Sequence, residues 1–157
     1  MVKPENRIEK YAFLRLYAHD LESALQTAKI ISRYKKMDVR SALLRDIVVT
    51  YCRPFTESRG EGIIKDFFSI KKFESEDMKL LHNELIKLRS SLFAHTDFNF
   101  KKPQIANWSD GDKKWFPMAV KHYDYSKLND QLISIVQLIK YVKLKLVLEI
   151  DQYEKNL

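Results

Sequence analysis

The sequence predicts an all-α protein, an up-and-down helical bundle with a small β-hairpin inserted before a long C-terminal helix. Three observations predict it. Glycine and proline are scarce, three and four in 157 residues, which disfavours a turn-rich β fold and permits long helices. Apolar residues recur at spacings of three and four over most of the chain. One stretch, about residues 98–123, breaks that rhythm with short aromatic runs around a turn signal. With 45% hydrophobic and 31% charged residues the composition is that of a soluble globular protein, and residues 1–157 fit one domain with a sizeable core.

The first helix is expected from about Asn6 to Tyr34, with Ile8, Tyr11, Ala12, Arg15, Ala18 and Leu21 to Leu25 at helical spacing and a potential break near Ala18-His19-Asp20. Lys35 to Asp38 reads as a connector, with Asp38 as N-cap of a second helix over Val39 to Cys52. That helix is apolar nearly all round (Ala42, Leu43, Ile47, Val48, Tyr51), so it belongs at the centre. Pro54 should end it and push Arg53 out of helical geometry. Thr56 to Gly62 holds two of the three glycines and reads as a loop, followed by a short segment from Ile63 to Phe68. Ser75 is the expected N-cap of a third helix running from Glu76 to His95, with Leu81, Leu85, Leu88 and Leu92 as its apolar stripe.

The insertion follows. Trp108 and Trp115 flank the turn signal Ser109-Asp110-Gly111-Asp112 and sit beside Lys101, Lys102, Lys113 and Lys114. Such a hairpin serves either as a base-stacking platform or as a flap whose aromatics pack on the bundle, the second being the simpler expectation. The last helix is expected from Ser126 to Glu154, with Leu128, Leu132, Ile135, Val136, Ile139, Val142, Leu146 and Ile150 on its apolar face.

The net charge of +7 favours polyanionic partners such as nucleic acid. The lone cysteine, Cys52, excludes an internal disulfide and any multi-cysteine zinc site, and its apolar surroundings suggest an inert buried thiol. The first residues carry no apolar signal core, and the longest apolar segment is interrupted by Lys140, Lys143 and Lys145. No membrane association and a cytoplasmic location are therefore expected. Phosphate-binding glycine loops, Gly-x-Ser-x-Gly elbows and His-Glu-x-x-His metal motifs are missing from the sequence. The histidines at 19, 82, 95 and 122 are scattered, so no metal and no cofactor are expected.

Chemistry concentrates in Arg89-Ser90-Ser91-Leu92-Phe93-Ala94-His95. A metal-free phosphate-cleaving site needs a fixed cation for the phosphoryl oxygens and a proton shuttle near neutral pH, and Arg89 and His95 are those two groups. On a helix they stand about 120° and about 9 Å apart, able to edge one cleft without touching. Asp97 is placed to orient the imidazole. Ser90 and Arg53 are candidates for further phosphate contacts, although Arg53 could equally hold the helix exit through an ion pair. His82, two turns before Arg89, is a candidate to line the same groove, or else a core histidine. A two-fold axis beside the segment would bring two arginines and two histidines together.

This motif fits the Arg-x4–6-His signature of the HEPN superfamily (higher eukaryotes and prokaryotes nucleotide-binding domains). The run from Arg89 through Ala94-His95-Thr96-Asp97 resembles the Arg-x-x-x-x-Ala-His-x-Asp form of several prokaryotic branches. The resemblance implies a helical bundle that dimerises around the motif. It also implies a metal-independent endoribonuclease of toxin–antitoxin, abortive-infection or CRISPR defence systems, with RNA as substrate and an antitoxin or other protein as possible partner. By it, His95 is the general acid/base and Arg89 binds the scissile phosphate. Active members often carry Asn, Asp or His after the arginine, where this chain has Ser90. Some members are inactive and serve as binding modules, the alternative for this chain.

Overall fold

The computed structural model describes residues 4–56, 73–93 and 101–155. Its described part is mostly helical, with one small ribbon of strands. Helix α1 spans Pro4–Ile31, α2 Met37–Cys52, α3 Glu76–Leu88, α4 Ser126–Asp130 and α5 Leu132–Glu154. A 3-10 turn, Arg53–Phe55, follows α2, and a π-turn, Arg89–Phe93, follows α3. The expected loop over Glu57 to Gly62 and the segment over Ile63 to Phe68 lie outside the described residues.

One buried cluster joins the helices. It takes Leu14, Leu21 and Leu25 from α1, Leu44, Ile47, Val48 and Tyr51 from α2, Leu85 and Leu88 from α3, and Leu128 from α4. Helix α5 adds Ile135, Leu138, Ile139, Val142, Leu146 and Ile150. Each such burial stabilises the fold by about 1.5–3 kcal/mol, so the α5 face alone outweighs any exposed ion pair among the described residues. Those pairs instead mark the register. Tyr11 donates to Glu154 at 2.6 Å while Lys143 pairs with Glu22, which runs α1 antiparallel to α5. Thr27 donates to Asp46 at 2.8 Å and Arg53 to Asp20 at 2.9 Å, which runs α1 antiparallel to α2. Lys145 meets Glu74 at 3.1 Å and Lys127 meets Glu84 at 2.6 Å, tying α3 to the last two helices in the same sense.

Several local expectations are corrected. Helix α1 does not break near His19, because Ala18, Leu21 and Ala24 keep its buried stripe continuous there. That stripe is rotated from the expected one: Leu14 is fully buried, whereas Ile8 is exposed. Helix α2 starts at Met37, with Lys36 at its N-cap; the Asp38 carboxylate accepts from Val39 N–H inside the first turn instead. Pro54 does end α2, but Arg53 keeps right-handed helical angles because the proline enters a 3-10 turn rather than an extended strand. Ser75 caps α3 as expected, accepting from Met78 N–H at 3.1 Å. The final helix is interrupted at Gln131, after Asn129 and Asp130, both weak helix formers.

Residues 104–119 form a two-stranded antiparallel ribbon: β1 (Gln104–Ile105) pairs with β4 (Met118–Ala119), and β2 (Trp108–Asp110) with β3 (Lys113–Trp115). Gln104 faces Ala119, Trp108 faces Trp115 and Asp110 faces Lys113, so one register runs unbroken from base to tip. Ala106 N–H to the Pro117 carbonyl, 3.0 Å, fills the interval, and Lys121 N–H to the Lys101 carbonyl, 2.8 Å, closes the base. Gly111 opens the two-residue turn with φ +59°, a conformation that a side chain would strain. The expectation that the ribbon's aromatics pack on the bundle is overturned: residues 104–119 are exposed on both faces.

Arg40 locks the α1–α2 corner. Its guanidinium donates to the carbonyls of Ile31 and Tyr34 at 3.0 and 2.9 Å, and to Asn129 Oδ1 of α4 at 2.8 Å. The Ile31 carbonyl is the last of α1 and that of Tyr34 belongs to the turn after it, so one cation meets the negative end of the helix dipole and fastens the turn. Arg40→Met keeps the aliphatic stem and removes all three bonds. Its unfolding free energy in urea is expected to drop by about 1–3 kcal/mol at unchanged m-value.

Candidate functional site

The end of α2 and the middle of α3 are held together by a buried polar pair. Tyr51 Oη and His82 Nδ1 lie 2.8 Å apart and share one hydrogen bond. The imidazole also meets Phe55 edge-on at 4.6 Å and Phe73 at 5.0 Å between ring centres. His82 is 4% exposed, and burial pulls its pKa down to about 4. It is neutral at physiological pH and faces the core rather than a groove, so its role is to join α2 to α3.

From His82, two helical turns lead to Arg89. The α-helix gives way there to the π-turn, a widening often found at functional positions. Ser90 supplies a local reason: its hydroxyl donates to the Ile86 carbonyl at 2.9 Å and lies 3.2 Å from that of Lys87, competing with the backbone ladder. The hydroxyl proton is therefore used within the helix, and the remaining function of Ser90 toward a ligand is as an acceptor.

Arg89 is half-buried. Among the described residues its enclosed Nε has no hydrogen-bond partner and its guanidinium forms no ion pair. Glu84, the acid five residues earlier on α3, is occupied by Lys127 at 2.6 Å and by Gln131 Nε2 at 3.2 Å. The Arg89 guanidinium lies close enough to Cys52 to oppose the upward shift of its thiol, which burial nevertheless carries to about 12. Cys52 is thus an inert core thiol, and Arg89 sits by the carboxyl end of α2, where the helix dipole favours a cation.

Two further groups were not singled out from the sequence. Phe93 stacks on Tyr125 at 6.0 Å, and Tyr123 meets both rings edge-on, at 6.1 Å from Phe93 and 4.9 Å from Tyr125. This trio pins the π-turn against the start of α4. Arg45 of α2 is exposed, and its charge opposes the rise that burial gives the Tyr125 phenol. Like Arg89, it forms no ion pair among the described residues. The available signal was its position seven residues before Cys52, hence on the same side of α2.

The other candidates separate. Arg53 is held by Asp20 at 2.9 Å, on the α1 side of α2, and serves the helix exit. His95 and Asp97 lie outside the described residues. Two guanidiniums thus belong to this region: Arg89 opens the aromatic-anchored π-turn, and Arg45 lies near the Tyr125 that stacks on the turn's last residue, Phe93. Planar, permanently charged groups without carboxylates suit phosphate oxygens. Among the described residues no three His, Cys, Asp or Glu side chains gather into a metal-holding group, and no helix is long and apolar enough to cross a membrane.

No protein-family model matches the chain, and neither a curated protein nor a solved structure matches it.

His82 gives the core a pH dependence of known sign. Its pKa falls from 6.5 when unfolded to about 4 when folded, so the unfolded chain binds the extra proton between those values. The stability that neutral His82 provides is complete above pH 6.5 and is lost as pH falls toward 4, by up to about 3 kcal/mol. Urea titrations of wild type and His82→Gln should show the gap between the two proteins shrinking by that order across the window. A constant gap would remove this account of His82.

Proposed function

We propose that this chain is a homodimeric, HEPN-like endoribonuclease that cleaves RNA without a metal ion, in a toxin–antitoxin or phage-defence setting. The observation that carries the reading is the state of Arg89: enclosed at Nε, free of any carboxylate among the described residues, and seated in a π-turn two turns from a fixed core contact. A half-buried cation left without an anion is costly unless a ligand supplies one. The antiparallel registers of α1, α2, α3 and α5 support an up-and-down bundle around that position.

In the proposed reaction Arg89 binds the scissile phosphate and stabilises the charge that builds on its oxygens, while Arg45 binds a neighbouring phosphate of the strand. His95 of one protomer takes the proton of the ribose 2′-hydroxyl, and that oxygen attacks phosphorus. The bond to the 5′-oxygen breaks, and the partner's His95 protonates the leaving oxygen. The products are a 2′,3′-cyclic phosphate and a 5′-hydroxyl. Ser90 favours a second reading. Its proton is committed to the Ile86 carbonyl, so the position that often carries Asn, Asp or His in active relatives offers no donor here. A module that binds nucleic acid, nucleotide or a partner protein through the same groove, without cutting, would tolerate that.

Cleavage of mixed single-stranded RNA in excess EDTA tests the proposal. Wild type should release fragments with 2′,3′-cyclic phosphate ends, and a 2′-deoxy substitution at the cut should block it. His95→Ala and Arg89→Ala should each lower the rate by about 100-fold or more. Arg45→Ala should raise KM with little change in kcat. Undiminished cleavage by His95→Ala would sink the mechanism; binding without cleavage in wild type would establish the second reading.

A further inference from the structure

The ribbon of residues 104–119 is the part of the molecule that the core does not explain. Opposite residues on a two-stranded ribbon point to the same face, and faces alternate along each strand. One face therefore carries Trp108, Trp115, Lys113 and Asp110; the other carries Ile105, Phe116, Met118 and Lys114. Trp108 is 72% exposed, Ile105 67%, Met118 62% and Phe116 61%. An isolated two-stranded hairpin is marginal in water, and large apolar groups on both of its faces call for a binding partner.

Charge selects the partner. Residues 101–121 hold five lysines against two aspartates and no glutamate. Lys113 and Lys114 form no ion pair among the described residues. The two indoles lie side by side, 6.5 Å between centres and tilted by 51°, which leaves the outer face of Trp108 open. Neighbouring positions on one face of a strand are about 6.8 Å apart, so Lys113 stands one such step from Trp115, the reach between a stacked base and its phosphate. Exposed aromatics interleaved with unpaired lysines are the means by which proteins hold single strands without reading sequence.

We propose that this ribbon binds single-stranded RNA along its tryptophan face, bases stacking on Trp108 and Trp115 and a phosphate meeting Lys113. The choice of RNA over DNA rests on the ribonuclease reading above; the stacking geometry does not. The ribbon would set no sequence preference of its own.

Trp108 and Trp115 are the chain's two tryptophans, so intrinsic tryptophan fluorescence reports on this ribbon alone. The test titrates Arg89→Ala protein with a short oligouridylate, with oligothymidylate of equal length, and with an RNA duplex. Oligouridylate should quench saturably and bind at least as tightly as oligothymidylate, with the duplex clearly weaker. Trp108→Ala, read through Trp115, should weaken binding about 10-fold. Lys113→Gln should lower the slope of log affinity against log salt by about 0.7. Equal binding by Trp108→Ala, preference for DNA or duplex, or absence of quenching would each overturn the proposal. So would a spectral shift that grows with protein concentration alone, which would assign the ribbon to a second copy of the chain. Because cleavage is not read, a failed nuclease assay leaves this result standing, and the reverse also holds.

Discussion

The hydrogen bond between Tyr51 and His82 is the constraint on which the geometry of the candidate site depends. It is the buried polar contact between α2 and α3, enclosed by Phe55 and Phe73. Apolar packing alone tolerates small rotations of one helix against another, whereas a buried donor and acceptor do not, since either group left unpaired costs about 1–3 kcal/mol. Fixing His82 fixes the rotation of α3. Arg89 is two turns further on, so its side chain is delivered to the carboxyl end of α2, beside Cys52, and not to solvent.

The same end of α2 is shaped by Pro54. The proline, two residues past Cys52, stops the α-helix at Cys52, and the 3-10 turn folds Phe55 back onto His82. Arg53, keeping helical angles, projects toward Asp20 on the far side. One residue pair and one proline thereby sort the arginines into two kinds. Arg53 is neutralised by a carboxylate and holds a seam; Arg89, within the π-turn, and Arg45, near Tyr125, have no ion pair among the described residues. A helix C-terminus offers only a partial negative charge, of the order of half an electron, so it stabilises Arg89 without saturating it.

Much of the fold was legible in the sequence, and the reasons for the misses are particular. Ser75, Pro54 and the Asp110-Gly111 turn are local signals whose physics is contained in a few residues, and each acts where it stands. Leu14 was passed over and Ile8 overvalued because periodicity gives the existence of a stripe more readily than its phase; the phase is set by Tyr11 and Glu22 meeting α5, which is tertiary information. The π-turn was invisible because Ser90 disrupts the ladder only once its rotamer reaches the Ile86 carbonyl. Arg89 was found through its motif, while Arg45 needed α2, α3 and α4 to be assembled before its neighbourhood with Tyr125 existed.

The charge surplus acquires a location through the same assembly. A net charge of +7 read from composition is compatible with a uniformly solvated surface. In the folded chain the ion pairs of Arg15, Arg53, Lys127, Lys143 and Lys145 each join different helices or turns, where they hold register. Acids spent on those seams are not available elsewhere. Arg45 and Arg89 near the π-turn, and Lys113 and Lys114 on the ribbon, have no ion pair among the described residues and lie beside exposed or half-buried aromatics. Positive charge next to ring faces attracts phosphate and base together, and neither a purely apolar protein surface nor a small inorganic anion would use both halves of that combination.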